Sequence, residues 1–344
     1  MENRSNKSPQ QLDIFAQAFA EIASKPKKKS KIVEPVSISK AVQELAHNLP
    51  PRLYMGTSSW SFPGWERLVY NHAYKQNHLA NQGLQAYAQH PLFRSVGIDR
   101  SYYRPLTQTE FAIYAEVVPE DFRFLSKAHE ACTVAVFPMH PRYGQQRGKQ
   151  NPSFLDPEYA IRMVIEPMQA GLGQKAGPIL FQFSPQDLDY VGGGRHLIQR
   201  LQKFLSALPQ GPIYAVEVRN ASLLTREYTE MLADLGICHC INVYPGMPPP
   251  FIQYQQAKAE QMPALVMRWM LHPGYSYEQA QARYAPFNQI VDEDRQSRRQ
   301  LAQLCLQAKT NDQPTFLIVN NKAEGSSPLS IELLAKEILA QSSN

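Results

Sequence analysis

GPILFQFS (177–184), GRHLIQRLQKFLSAL (194–208) and IYAVEVR (213–219) follow one another in the chain, and their reading decides the fold. The outer two are short apolar or alternating runs of strand length. The middle one places its apolar residues at helical spacing. A strand, a helix and a second strand in that order predict a right-handed βαβ unit and parallel pairing. The same rhythm extends in both directions. YMGTSSW (54–60), LFRSVGIDRSYY (92–103) and FRFLSKAH (122–129) precede it; ICHCINVY (237–244), ALVMRWML (264–271) and TFLIVNN (315–321) follow it. Helix-patterned stretches such as TEFAIYAEVV, LLTREYTEMLADLG, EDRQSRRQLAQLCLQA and SIELLAKEIL lie between or after these runs. Eight strand candidates alternating with helices predict an α/β (β/α)8 TIM barrel over residues 51–344. A doubly wound open sheet is the alternative, but no G-x-G-x-x-G follows the first strand, as a dinucleotide-binding version would require.

Composition agrees with one packed body. The 344 residues are 43% hydrophobic and 19% charged, too apolar for a disordered chain. No apolar run is long enough to span a bilayer, so no membrane association is expected. The opening MENRSNKSPQ lacks the apolar segment of a secretory signal, and four cysteines are too few for a disulfide framework. A cytoplasmic protein is the expectation. The net charge of +5 is uneven: residues 1–50 hold eight basic and five acidic side chains, and the rest is close to neutral. With KPKKKSK at 25–31, residues 1–50 are predicted to be a flexible basic extension.

In a barrel of this kind, chemistry sits at the C-terminal ends of the strands. Glu217 and Arg219, two apart on the fifth strand, share a face: a carboxylate for acid–base work and a guanidinium to clamp an anion. Lys127 and His129 repeat that spacing on the third strand. A desolvated Lys can act as base or Schiff-base nucleophile, and His titrates near neutrality. Lys127 could instead simply be the charge partner of Glu217, and Glu217–Arg219 a buried plug. Asn320, Asn321 and Lys322 end the eighth strand. Ser327-Pro328 then reads as a helix start, where free N–H groups beside Arg268 could hold phosphate. Gln182, Asp99, Tyr103 and Trp60 complete the substrate-binding candidates, the aromatics by stacking or by packing beneath the loops.

Other chemistries find little support. Asp99, His129 and Glu217 could meet at a metal, but no H-E-x-x-H or paired-Cys spacing backs this, so no metal and no cofactor are expected. Cys238 and Cys240 share one face and suggest packing. Gly192-Gly193-Gly194-Arg195 lacks the Lys-Ser/Thr ending of a phosphate loop and reads as a flexible turn into a helix. No G-x-S-x-G nucleophile elbow occurs. Two segments that leave strand ends, 131–155 with Arg142, Arg147 and Lys149, and PGMPPP (245–250), are candidate lids.

The strand ends taken together, MGTSSWS (55–61), VGIDRSYYR (96–104), FRFLSK (122–127), LFQFSP (180–185), AVEVR (215–219) and VNNKAEG (319–325), resemble the YecE-like family. The resemblance implies a TIM barrel spanning roughly 50–340 and a domain of unknown function. That family's usual pattern carries Glu and Asn where this chain has Gly97 and Asp99. It often has an acidic residue near Asn242 and a His at Lys322, so chemistry resting on those groups would be altered or lost here.

The expected function is an enzyme, or a former one, doing acid–base chemistry on a small polar, anionic ligand at the barrel mouth. Hydrolase, lyase and isomerase remain equally open. The alternative lies in the extension. Gln11-Leu12-Asp13-Ile14-Phe15 is similar to the pentapeptide that docks bacterial proteins on the DNA sliding clamp, with Leu12, Ile14 and Phe15 filling apolar pockets. A DNA-associated adaptor or nucleic-acid processing protein would use it, helped by the basic run's attraction to phosphate.

Overall fold

A computed structural model describes residues 32–185 and 187–342. Eight parallel strands close into a barrel in chain order. They are β1 (Leu53–Thr57), β2 (Ser95–Ile98), β3 (Arg123–Lys127), β4 (Ala176–Phe183), β5 (Tyr214–Val218), β6 (Cys238–Val243), β7 (Leu265–Trp269) and β8 (Thr315–Val319). The (β/α)8 barrel predicted from the alternation is the fold observed.

Register explains what fills the interior. Residues paired across parallel strands point to the same side, and Gly97↔Leu125, Lys127↔Leu180, Gln182↔Glu217, Asn242↔Arg268 and Arg268↔Ile318 trace one inward set around the ring. At the N-terminal end of the strands, Tyr54 stacks on Phe316 at 5.0 Å, with Arg123 over the Tyr54 ring at 5.7 Å. Leu125, Leu180, Val266 and Ile318 form the apolar middle, all buried. Above them come Lys127, Gln182, Glu217, Asn242 and Arg268, also buried. The barrel therefore turns polar toward the end where the fold places its chemistry. Outward residues pack the helix ring: Phe181 meets Phe204 of the Gly194–Ser206 helix edge-to-face at 5.2 Å. Closure is tight at β1, where a Cβ on Gly56 would meet the Ser95 carbonyl oxygen at 1.8 Å, so only glycine fits.

Two expectations change. The predicted strand 92–103 is a strand only over Ser95–Ile98, and Arg100–Tyr103 forms a helical turn. The Ser101 hydroxyl draws the chain in by bonding the carbonyls of Ile98 at 2.7 Å and Lys127 at 2.6 Å. This turn carries Tyr102 and Tyr103 over the mouth. Residues 32–50, expected to belong to a flexible extension, instead pack on the barrel. Val33 and Leu49 are buried, Pro35 bridges to Tyr70, and the Ser39-capped helix Lys40–His47 lies against the last helix, Ser327–Ser342. The clamp-like motif Gln11–Phe15 and the basic run lie outside the described residues. Among the described residues, no helix is long and apolar enough to cross a membrane.

Candidate active site

Barrel closure gathers the polar strand ends into one network. Glu217 is wholly buried, and both carboxylate oxygens are taken by guanidinium groups. Arg219 Nε donates to Oε1 at 2.7 Å and Arg268 Nη1 to Oε2. Gln182, adjacent on β4, accepts from Arg268 at 2.9 Å and Arg219 at 3.2 Å. Burial pushes the Glu217 carboxyl up, but Arg268 and Arg219 outweigh it and hold it at about 2. A carboxylate so held has no basicity near neutral pH. Expected as a general base, Glu217 is instead the counter-ion that positions two arginines. Arg268 is 1% exposed and locked in the interior; Arg219 lies across the Tyr244 ring at 4.4 Å and reaches open space.

Lys127 pairs with Asp99, not with Glu217: Nζ lies 3.0 Å from Oδ1 and 5.4 Å from the centre of the Tyr102 ring. The Lys127 side chain is 8% exposed, while that of Asp99 is 30% exposed. Burial lowers the Lys127 ammonium, Asp99 pulls it back up, and Arg268 and Arg219 push it down again, leaving it at about 8. Asp99 also acts on Lys322, whose ammonium sits over the Tyr277 ring at 4.2 Å and which burial likewise brings to about 8.

These groups surround a cavity of about 660 Å³ at the strand C-termini. Asp99, Lys127, Gln182, Arg219, Tyr103 and Asn320, all predicted site residues, line it. Asn320 Nδ2 donates to the Ser58 hydroxyl at 2.8 Å, which sets that hydroxyl on the wall. The segment after β3 forms the opposite wall. Arg142 bonds Glu130 and lies 5.2 Å from the centre of the Tyr103 ring, and the Tyr143 hydroxyl donates to Glu130 at 2.8 Å. The 131–155 segment expected to cover the mouth is thus clasped onto it.

Three predicted residues stand elsewhere. The His129 ring meets the Tyr159 hydroxyl at 2.7 Å and does not line the cavity; burial lowers it to about 4, so it is neutral. Trp60 packs edge-to-face on Tyr114 and donates to the Ala80 carbonyl, outside the barrel. Asn321 Oδ1 takes the Ser327 N–H at 2.9 Å, the Ser327 hydroxyl at 2.8 Å and Trp65 Nε1 at 3.2 Å. The start of the last helix is therefore capped from within and buried, so the phosphate site expected there is closed. Nor do Asp99, His129 and Glu217 converge: each has a different partner, and among the described residues no group of three His, Cys, Asp or Glu could hold a metal ion. Sequence reasoning missed Ser58, Tyr143, Tyr244 and Tyr277 on the cavity wall. Tyr244 and Ser58 left a signal, each two positions beyond an inward-facing residue, Asn242 and Gly56. Tyr277 arrives on a helix outside the strand rhythm.

The family called "Protein of unknown function DUF72" matches residues 54–344, the whole barrel. The chain belongs to the DUF72 family. Among solved structures, a DUF72 protein from Enterococcus faecalis is similar at 18% identity over 83% of this chain and 95% of that one, with a TM-score of 0.54. A DUF72 protein from Thermotoga maritima is similar at 18% identity over 85% and 99%, with a TM-score of 0.53. At such identity the likeness is one of fold. No curated protein matches the chain. A Cβ on Gly97 would come within 3.2 Å of Ser58 Cα, so a larger residue would push against the Ser58 backbone at the mouth.

Proposed function

We propose that the barrel mouth is an active site for a small anionic substrate, with Arg219 as anion anchor and the Lys127–Asp99 pair as the proton carrier. The observation that carries this reading is the Lys127 amine, buried yet opening onto the cavity, 3.0 Å from a partly exposed carboxylate. Such an amine changes charge near neutral pH, as a general acid or base must. The cavity is lined by Lys127, Arg142 and Arg219 and by an equal number of carboxylates, Asp99, Glu130 and the exposed Asp187, so its charge preference is local and set by where each group points. An anion is favoured at Arg219, which meets the open space while its carboxylate partner Glu217 is wholly buried behind it. Glu217 and Gln182 hold the Arg219 fork in place, so little freedom is lost when a carboxylate or phosphate meets it.

The test is calorimetric titration of the full chain with inorganic phosphate and small carboxylates. At least one should bind, and Arg219→Gln should weaken it by about tenfold or more, the size of a lost charge-assisted hydrogen bond. Binding indifferent to Arg219, or no binding by any probe, would refute the reading.

A further inference from the structure

Two features of the mouth go beyond anion binding. One is that Lys127 Nζ faces the cavity directly, whereas Lys322 does not line it and is covered by the rings of Tyr277 and Phe287 at 4.2 and 5.3 Å. The other is a set of apolar side chains on the cavity wall. Val136, Phe137 and Met139 of the 131–155 segment and Tyr190 of the turn after β4 line the same cavity, and Met139 and Tyr190 are 63% and 69% exposed. Large apolar side chains left in water at the lip of a polar cavity gain by covering an apolar ligand. The site thus presents an amine and a guanidinium at its floor and an apolar slot at its entrance.

We propose that Lys127 is a nucleophile that forms an imine with a 2-oxo acid bearing an apolar side chain. This rests on the anion-binding reading, which supplies the carboxylate anchor. The carboxylate of the acid meets Arg219, its carbonyl carbon meets Lys127 Nζ, and its side chain lies along Val136, Phe137, Met139 and Tyr190. Lys127 first gives its ammonium proton to Asp99, whose partly exposed carboxylate passes it to solvent. The Nζ lone pair then forms the C–N bond while the carbonyl π pair moves to oxygen, which takes a proton from solvent in place of the one released there. Asp99 accepts the second nitrogen proton and returns one to the leaving hydroxyl, and water departs as C=N forms. Ammonium and ketone give a protonated imine and water, with no oxidant or reductant needed. The Ser58 hydroxyl, which accepts from Asn320, is placed to donate to the carbonyl oxygen. A buried amine beside other cations is the setting that frees a lysine for this chemistry.

The experiment uses phenylpyruvate, with phenyllactate as the isostere that lacks the carbonyl. The full chain is incubated with phenylpyruvate and sodium cyanoborohydride, and the reduced adduct is located by peptide mass mapping. Phenyllactate binding is measured in parallel by calorimetry. The proposal expects one adduct, on Lys127, formed at least tenfold faster than on any other lysine. Lys127→Arg should lose the adduct while keeping the far-UV circular dichroism of the unaltered chain; if that variant does not fold, mapping of the unaltered chain still decides. Phenyllactate binding without a Lys127 adduct, or with adducts spread over surface lysines, overturns the imine and leaves the anion site standing. Failure of both ligands to engage overturns both.

Discussion

Replacing Glu217 by Gln should destabilise the protein severely. The carboxylate is 0% exposed, Arg268 is 1% exposed, and no water reaches the pair to replace the lost charge. Removing one member of a buried ion pair leaves the other uncompensated, at a cost of ~3–5 kcal/mol. The carboxyl's displacement from 4.5 to about 2 gives an independent figure, on the order of 3 kcal/mol at neutral pH. Urea denaturation at pH 7, followed by far-UV circular dichroism, should show a large fall in midpoint at an unchanged slope. Arg268→Met should cost a similar amount. The double variant Glu217→Leu/Arg268→Met should recover only part of the loss, because apolar residues can replace that pair but Arg219 is left without its carboxylate. The pH dependence has a definite sign. Since the folded value is depressed, the stabilisation is complete above pH 4.5 and is lost as pH falls through about 2. Glu217→Gln should lack that part of the acid slope. A variant within ~1 kcal/mol of the unaltered chain, or one with the same acid slope, would refute the view that an ionised cluster closes the barrel top.

Lys322 works in the opposite sense. Its folded value of about 8 lies below the ordinary 10.5, so burial of the charged form is a burden at pH 7 that disappears as pH rises from 8 to 10.5. Lys322→Met should therefore raise the unfolding free energy from urea denaturation at pH 7 by ~1–3 kcal/mol, and the gain should shrink to nothing near pH 10.5. His129→Phe should cost ~1 kcal/mol through loss of the Tyr159 bond and leave phenyllactate binding unchanged in calorimetry, since the ring does not line the cavity. Glu130→Gln weakens the clasp made with Arg142 and Tyr143, so chymotrypsin should cut the 131–155 segment several-fold faster. An unchanged cleavage rate would show that the clasp does not hold the wall.

Much of this architecture is visible without coordinates. The alternation of short apolar runs with helical patterns is enough for a barrel, because each run carries its own period and closure adds only order. The two-residue spacing of Glu217 and Arg219 likewise placed both on one face, and they are bonded to each other. The break of the second strand was less legible. VGIDRSYY has strand-like residues throughout, and the turn at Arg100–Tyr103 depends on the Lys127 carbonyl of the next strand. The segment 32–50 reads as polar and mixed, yet Val33 and Leu49 find the barrel surface. A few well-placed apolar residues sufficed to seat it.

The candidate roles divide in the same way. From the chain alone came the barrel, the end at which its polar residues collect, and Asp99, Lys127, Gln182, Arg219 and Asn320 as residues of the mouth. Charge partnership could not come from there. A carboxylate's partner is set by closure, which brings Arg268 to Glu217 across 51 positions and leaves Lys127 to Asp99. Spacing along one strand reports which residues share a face. It does not report which opposite charge the ring will bring within 3 Å, and in a desolvated barrel top that distance decides whether a carboxylate is a base or a fixed counter-ion.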